Sequence, residues 1–186
     1  MNDVNEILII VDMVNGFVRD GAMADKYIEH IIPEQIKLIN NLDDMKQLVF
    51  IKEAHEENSI EFKRYPKHCV KGTFEAELVD ELKSFVNNAK VFEKNSTCVI
   101  FNKDLLIYIN EFINLKKVTI VGCCTDICVM NLAIPLKNYF DEFNKDIDVI
   151  VVKGATETYD SDVHNRELYN DMAYKLMKQA GIKVVD

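Results

Sequence analysis

The chain has 186 residues and carries 31 acidic against 22 basic side chains, which gives a formal net charge of −9. This length fits a single domain over residues 1–186 with a sizeable buried core, and the negative charge argues against nucleic acid as the main partner. No apolar stretch approaches the roughly 20 residues of a membrane helix, while the short acidic N-terminus and the odd number of cysteines predict a cytoplasmic protein without a signal peptide or a disulfide framework.

Apolar runs typical of strands alternate along the chain with segments of helical periodicity. In chain order the patterns predict a strand over Ile7–Val11, a helix over Ala24–Leu42 interrupted by Pro33, a strand over Gln47–Glu53, an irregular polar segment over Ala54–Thr73, a helix over Glu75–Val86, a strand over Lys90–Phe92, a helix over Leu105–Phe112, a strand over Lys117–Val121, a helix after Asp126 to Phe140, a strand over Ile147–Val152, a helix over His164–Gln179 and a strand over Ile182–Val185. The irregular segment is longer than an ordinary connection, and loops of that length usually serve a function.

This alternation predicts an α/β fold, a three-layer α/β/α sandwich with a mainly parallel six-stranded sheet. The predicted strands are apolar on both faces, as buried parallel strands are. Right-handed crossovers place the carboxyl ends of all such strands at one edge of the sheet. Ligands of open α/β sheets bind at that edge.

Residues that can carry chemistry follow four of the predicted strands. They are Asp12 after the first strand, Glu53 and His55 at the second, Lys94 at the third, and Cys124 and Cys128 after the fourth. Taken singly, such an aspartate is usually a turn former and such a lysine a solvated charge. A carboxylate base, an ammonium group and a thiol at one edge together favour acyl transfer by a cysteine nucleophile.

The run Gly122–Cys128 joins the fourth strand to a predicted helix. A thiol in the first turn of a helix lies near backbone N–H groups and the positive helix end, which favour the thiolate. A buried structural role is the usual alternative for any one cysteine. Because Cys123, Cys124 and Cys128 compete for one role, position alone does not choose among them.

Histidines and acids cluster around the irregular segment. His55 and His68 bracket it, together with Glu53, Glu56, Glu57 and Glu61. Two imidazoles with carboxylates suit Zn, Mn or Fe, although loop histidines are more often plain surface residues. Cys69 could add a soft ligand or be a small buried apolar side chain. His30 and His164 have no such cluster in sequence, and we expect structural or solvated roles for both.

At these residues the chain resembles the nicotinamidase branch of the isochorismatase-like cysteine hydrolases. The resemblance covers essentially the whole chain, in family order. Its segments are residues 9–17 (IIVDMVNGF), 53–55 (EAH), 65–73 (YPKHCVKGT), 92–94 (FEK) and 122–129 (GCCTDICV).

The resemblance implies the fold of that family and a catalytic triad of Asp12, Lys94 and Cys128. It implies a cis peptide bond between Cys123 and Cys124, with the backbone N–H groups of Cys124 and Cys128 as the oxyanion hole. It also implies one divalent transition metal (Zn, Mn or Fe) that holds the pyridine nitrogen of nicotinamide. The implied metal ligands are Glu53, His55 and His68, with Glu61 as a fourth.

Two positions depart from the family pattern. The first metal ligand is usually Asp, and here it is Glu53, which is one methylene longer. The family usually has aromatic residues after the lysine to line the ring pocket, whereas residues 95–100 (NSTCVI) contain none. Phe17 and Tyr65 are the aromatic residues that we expect to form the walls of a ring site.

The function implied by the resemblance is hydrolysis of nicotinamide to nicotinate and ammonia through a thioester, a reaction of NAD salvage. The alternatives are hydrolysis of another small amide or N-carbamoyl compound, and a non-catalytic ligand-binding homologue. A vinyl-ether hydrolase is disfavoured because the branch of the family with that activity lacks the nucleophilic cysteine. The expected partner is therefore a small amide, with no nucleic acid or membrane, and members of the family often form homo-oligomers.

Overall fold

The computed structural model describes residues 4–43 and 46–186. Within these ranges six strands form one sheet in the order β3-β2-β1-β4-β5-β6, and every neighbouring pair is parallel. The strands are β1 (Glu6–Val11), β2 (Lys46–Glu53), β3 (Ala89–Lys94), β4 (Lys117–Cys123), β5 (Asp148–Glu157) and β6 (Lys183–Val185).

Six α-helices connect the strands of the described chain. They are α1 (Asn15–Val18), α2 (Ile32–Asn40), α3 (Asp80–Lys83), α4 (Lys103–Asn110), α5 (Met130–Glu142) and α6 (Arg166–Gln179). Short 3-10 helices cover Lys26–Ile31, Ile60–Lys63, Phe74–Ala76, Val86–Asn88 and Val99–Phe101, and a π-helical turn covers Thr125–Val129. None of the helices in the described residues is both long enough and apolar enough to cross a membrane.

Two apolar cores, one on each face of the sheet, produce the three-layer fold that the sequence predicts. Alternate side chains of β1 point to opposite faces, so Ile9 joins one core and Ile10 the other. Helices α4, α5 and α6 cover the first face, with Leu105, Leu132 and Met177 buried in it. The other face is covered by residues 26–40 and by the segment around α3.

The helix predicted over Glu75–Val86 is wrong. Its middle is extended at Glu77 and Val79, between a 3-10 turn and the short α3. The backbone there bonds to the loop after β1: Asn15 N donates to Glu77 O (2.9 Å) and Val79 N to Met13 O (3.0 Å). Tertiary hydrogen bonds have replaced the helical ones, which local periodicity cannot reveal.

Other elements differ from the prediction mainly at their ends. The segment Ala24–Leu42 does divide near Pro33, which lies in the first turn of α2, where a proline costs no hydrogen bond. The predicted helix after Asp126 begins as a π-helical turn before α5. Strand β5 runs to Glu157, five residues beyond the predicted end at Val152.

The strand order places a crevice where the connection changes direction. Strand β1 lies between β2 and β4, and the chain continues from β1 outwards on both sides. Such a switch point opens between the carboxyl ends of the two central strands. Asp12 and Cys124, which directly follow β1 and β4, lie at this position.

Candidate active site

A buried ammonium group is the centre of the charged cluster at this edge. Lys94 ends β3 beside Glu53, which ends β2 and is its partner in the strand register. The Lys94 Nζ lies 2.7 Å from Asp12 Oδ2 and also contacts Glu53 Oε2. Asp12 follows β1 in a left-handed backbone conformation (φ 52°), which aspartate adopts more readily than most residues. All three side chains are almost fully buried.

Cys128 is the cysteine that the structure brings to this cluster. Its Sγ lies 3.6 Å from Lys94 Nζ and 4.0 Å from Glu53 Oε2. Cys123 turns instead towards the chain, where its Sγ donates to the Asp12 carbonyl oxygen (3.1 Å). Cys69 is completely buried in the core on the second face. Distance to Lys94 thus distinguishes Cys128 from Cys123 and Cys69, which their positions in the sequence do not.

Both Cys128 and Lys94 have pKa values above their usual range, for different reasons. Burial raises the pKa of the Cys128 thiol well above its usual value, and the neighbouring Lys94 ammonium group opposes this only in part. Burial lowers the pKa of Lys94, but Asp12, Cys128 and Glu53 raise it by more, so the amine stays charged. These surroundings favour the protonated thiol, so its ionisation would depend on a nearby base.

The turn after β4 contains the cis peptide bond between Cys123 and Cys124 that the family resemblance implies. The Cys124 carbonyl oxygen accepts hydrogen bonds from the N–H groups of Ile127 and Val129, both at 3.1 Å. These bonds wind the chain into the π-helical turn that carries Cys128. The assignment of the Cys124 and Cys128 N–H groups to an oxyanion hole stays a prediction.

The irregular segment brings His55, Glu61 and His68 together. The Nε2 atoms of the two histidines face each other at 3.2 Å. Their Nδ1 atoms meet acceptor oxygens, Asn95 Oδ1 (3.0 Å) and the Pro66 carbonyl (2.7 Å), so each Nδ1 carries the hydrogen. Each Nε2 then presents a lone pair to the other.

A cation between these rings would relieve that opposition. Ligand atoms of His55, Glu61 and His68 lie within 4.8 Å of one another, and all three side chains are buried. Burial lowers the pKa of His68, which favours the neutral form that ligates metals. The donor set therefore fits a divalent transition metal.

Glu53 lies between the two clusters. Its Oε2 contacts Lys94, and its Oε1 lies 3.2 Å from His55 Nε2. That Oε1 is buried and makes no hydrogen bond within the described residues, which is typical of an oxygen that binds a cation. Burial, opposed in part by Lys94, raises the pKa of Glu53 to about 8.

One cavity opens onto both clusters. Cys124, Cys128, Glu53, Glu61 and His68 contribute to its polar end. The structure places the two predicted aromatic residues in its wall, where they are joined by residues that the sequence did not indicate. The wall consists of Phe17, Met23, Tyr65, Thr97, Ile127 and Tyr159.

Tyr159 was missed because β5 was predicted too short. The extended strand ends at Glu157, so Thr158 and Tyr159 are the first residues past its carboxyl end. The same rule that selected Asp12 and Lys94 would have selected them. His164, for which we expected a structural or solvated role, also lies at this edge, where its ring contacts Asp126.

Residues 6–186 match the family model of the isochorismatase domain, and the chain therefore belongs to that family. Nicotinamidase 1 of Arabidopsis thaliana is 29% identical in an alignment 218 residues long, which covers 96% of this chain and 84% of the plant protein. A probable inactive nicotinamidase of the same plant is 24% identical, with 96% and 91% covered.

Solved structures share the fold over nearly the whole chain. The pyrazinamidase of Pyrococcus horikoshii in complex with zinc is 25% identical, with a TM-score of 0.77 over 98% of this chain and 99% of that one. The N-carbamoylsarcosine amidase of Thermoplasma acidophilum is 22% identical, with a TM-score of 0.76 over 98% and 96%. The isochorismatase-like hydrolase fold expected from the sequence is confirmed.

Proposed function

We propose that this protein is a metal-dependent cysteine amidohydrolase that converts nicotinamide to nicotinate and ammonia. The observation that carries the proposal is the position of Lys94, whose ammonium group contacts Asp12 at 2.7 Å and Cys128 at 3.6 Å. Cys128 lines the same cavity as His68, beside a group of side chains of the kind that bind metals. Similarity to a plant nicotinamidase supports the substrate.

In the proposed reaction Asp12 takes the proton of the Cys128 thiol as sulfur attacks the amide carbon. Oxygens of Asp12 and Glu53 and the Cys128 sulfur lie within 4.8 Å of one another, close enough for this transfer. Lys94 keeps the carboxylate and the developing thiolate charged. The N–H groups of Cys124 and Cys128 donate to the oxyanion.

Collapse of the tetrahedral species breaks the C–N bond. Asp12 returns its proton to the departing nitrogen, ammonia leaves, and the acyl group stays on Cys128 as a thioester. Asp12 then takes a proton from water as the water oxygen attacks the thioester carbon. As the C–S bond breaks, Asp12 gives this proton to the Cys128 sulfur, which restores the thiol, and the acid leaves.

His55, His68, Glu61 and Glu53 would hold the metal (Zn, Mn or Fe). When bound, it supplies a Lewis-acid site for the ring nitrogen of the substrate. The nucleophile comes from Cys128, so the residues around the metal serve to orient the substrate. Phe17, Tyr65 and Tyr159 offer apolar walls for a flat ring.

A second candidate is the hydrolysis of a different small amide or an N-carbamoyl compound. Its support is Thr97, which lines the cavity in the stretch after Lys94 where the family usually has aromatic residues. A hydroxyl there suits a more polar substrate than a pyridine ring. A non-catalytic homologue is disfavoured because the buried contacts of Asp12, Lys94 and Cys128 are all present.

The five cysteines are free in the structure, and this supports a reducing compartment such as the cytoplasm. The proposed partner is the small-molecule substrate alone, apart from further copies of this chain in a homo-oligomer. The activity would place the protein in NAD salvage.

Release of ammonia from nicotinamide tests the proposal directly. Purified protein of measured metal content is assayed with nicotinamide and, in parallel, with N-carbamoylsarcosine. We expect turnover of nicotinamide by the parent and none by Cys128→Ala, whereas Cys98→Ala, which removes a thiol outside the cluster, stays active. Turnover of the carbamoyl compound alone selects the second candidate, and undiminished hydrolysis by Cys128→Ala would falsify the mechanism.

A further inference from the structure

His164 is enclosed in an aromatic stack beneath the cavity. Its ring lies between Tyr159 and Tyr169, with centroids 3.9 and 3.7 Å away and planes tilted by 11° and 27°. The side chain is buried. The two tyrosine rings fix the plane of the imidazole, and the hydrogen-bond partners at its edge decide where its two nitrogens point.

Both nitrogens of this ring meet acceptors. Nδ1 lies 3.0 Å from the Tyr159 carbonyl oxygen, and Nε2 lies 2.9 Å from Asp126 Oδ2. A carbonyl oxygen accepts only, and so does an ionised carboxylate, so the contacts fit a ring that donates from both nitrogens. Such a ring pairs with the Asp126 carboxylate, and the two tyrosine faces suit a cation.

The ion pair joins two parts of the proposed site. Asp126 lies in the π-helical turn Thr125–Val129, two residues before Cys128. Its other oxygen, Oδ1, accepts a hydrogen bond from the Thr158 hydroxyl (2.6 Å). Thr158 and Tyr159 follow β5, and Tyr159 lines the cavity. The turn that carries the nucleophile is thereby tied to a wall of the cavity.

We propose that Asp126 and His164 are positioning residues that hold the Cys128 turn and the Tyr159 wall in register. This inference rests on the proposed function, since it assigns Cys128 as the nucleophile. The polar partners of the two side chains are each other, the Thr158 hydroxyl and the Tyr159 carbonyl oxygen, not the Cys128 sulfur, Lys94 or Asp12. Their effect on Cys128 therefore passes through the backbone of the turn. A displacement of about 1 Å at a reacting atom can cost roughly 100-fold in rate.

Two substitutions remove the polar contacts or the charge of this pair while they keep the size of its side chains. His164→Phe keeps an aromatic ring in the stack but removes both hydrogen bonds. Asp126→Asn keeps an oxygen for the Thr158 hydroxyl but removes the negative charge. Asp141→Asn is the matched control, because Asp141 forms an exposed ion pair with Lys137 on α5.

Two measurements report the position of the Cys128 sulfur more directly than a change in protein stability would. One is the rate at which iodoacetamide alkylates Cys128, followed by mass spectrometry of its peptide. The other is kcat and KM for nicotinamide. We expect each single variant to lower the alkylation rate and kcat by about 10- to 100-fold at temperatures where it stays folded, because the turn is misplaced. Asp141→Asn should match the parent.

The double variant Asp126→Asn/His164→Phe should lose no more than the worse single variant, because the two side chains act as a unit. Additive losses, or single variants with alkylation and kcat within twofold of the parent, would overturn the proposal. Nitrogen chemical shifts of the His164 ring in the parent give a measurement that needs no variant. A neutral ring at neutral pH contradicts the ion pair.

The alkylation arm also separates this inference from the proposed function. If the parent hydrolyses no amide, the proposed function fails, and the alkylation rates still test whether the pair positions Cys128. If the parent hydrolyses nicotinamide and the variants behave like it, the positioning role fails alone.

Discussion

Single residues set the charge balance of the site, and Lys94 is central to it. Its ammonium group lies between two buried carboxylates and beside a thiol. Buried charges are costly unless they are paired. Each charge in the cluster therefore depends on its partners, and removal of one of them should lower the free energy of unfolding.

Replacing Lys94 by methionine keeps the length of the side chain and removes its charge. We expect Lys94→Met to lower the free energy of unfolding by about 3–5 kcal/mol, because Asp12 and Glu53 lose their buried partner. Urea unfolding measures the change. Lys175→Met removes a lysine from an exposed pair with Asp171 and should cost about 0–1 kcal/mol. Equal, small losses for both would show that the cluster is hydrated or protonated.

Asp12 is the base in the proposed reaction, and asparagine matches its size. Because the Cys128 pKa is raised by burial, the thiol depends on a neighbouring base for its deprotonation. Asp12→Asn should slow acylation by roughly 100-fold or more, the usual scale of general-base catalysis. Rapid-mixing measurement of the first turnover tests this. A burst at the parental rate excludes Asp12 as the base.

At the scale of elements, the site depends on how closely β1 and β4 approach. Gly122, near the end of β4, has φ +120°. A Cβ atom built there would lie 2.0 Å from the Val11 carbonyl oxygen, which belongs to the backbone of β1. Only glycine allows the two strands to pair up to the residues that precede Asp12 and Cys124.

Gly122→Ala should therefore destabilise the fold by at least about 2 kcal/mol, since neither the backbone contact nor the positive φ can relax cheaply. Gly154→Ala in β5 is the control, because its nearest atom would be Glu34 Cγ at 3.9 Å, an ordinary contact. Thermal unfolding of both variants compares them. Similar melting temperatures would mean that β1 and β4 can separate here without loss.

The segment between β2 and α3 contributes candidate metal ligands and has little regular structure. His55 is held by a parallel bridge to Val70, and the 3-10 helix Ile60–Lys63 presents Glu61. Because this polar segment does not form a long strand or helix, the side chains of His55, Glu61 and His68 can point towards one another. The segment is therefore best described by this group of three side chains.

For the whole molecule, a metal that binds only the folded site stabilises the fold by mass action. We expect a chelator to lower the melting temperature of the metal-loaded parent. His68→Ala should contain little metal, show no such shift, and keep Cys128 alkylation near the parental rate. His30→Ala, at an exposed histidine outside the cluster, should retain the metal. A metal-free parent with full nicotinamidase activity contradicts both the site and its orienting role.

Sequence patterns were sufficient for the architecture because they depend on local chemistry and general rules. Apolar runs that alternate with segments of helical periodicity identified all six strands. The right-handed crossover rule placed Asp12, Lys94 and Cys128 at one edge of the sheet. The motifs around His55 and His68 indicated the group of candidate metal ligands for the same reason, since each flanks a strand end or an irregular loop. What was missed locally was mostly a boundary, as at the end of β5.

The remaining features depend on contacts between residues far apart in sequence. The predicted helix over Glu75–Val86 breaks because its backbone bonds to the loop after β1. The choice of Cys128 over Cys123 rests on the distance to Lys94, and the two roles of Glu53 rest on its reach to both Lys94 and His55. The strand pattern was enough to bring Asp12, Lys94 and Cys128 to one edge of the sheet. Which of their atoms face each other depends on side-chain packing and burial, which exist only in the folded chain.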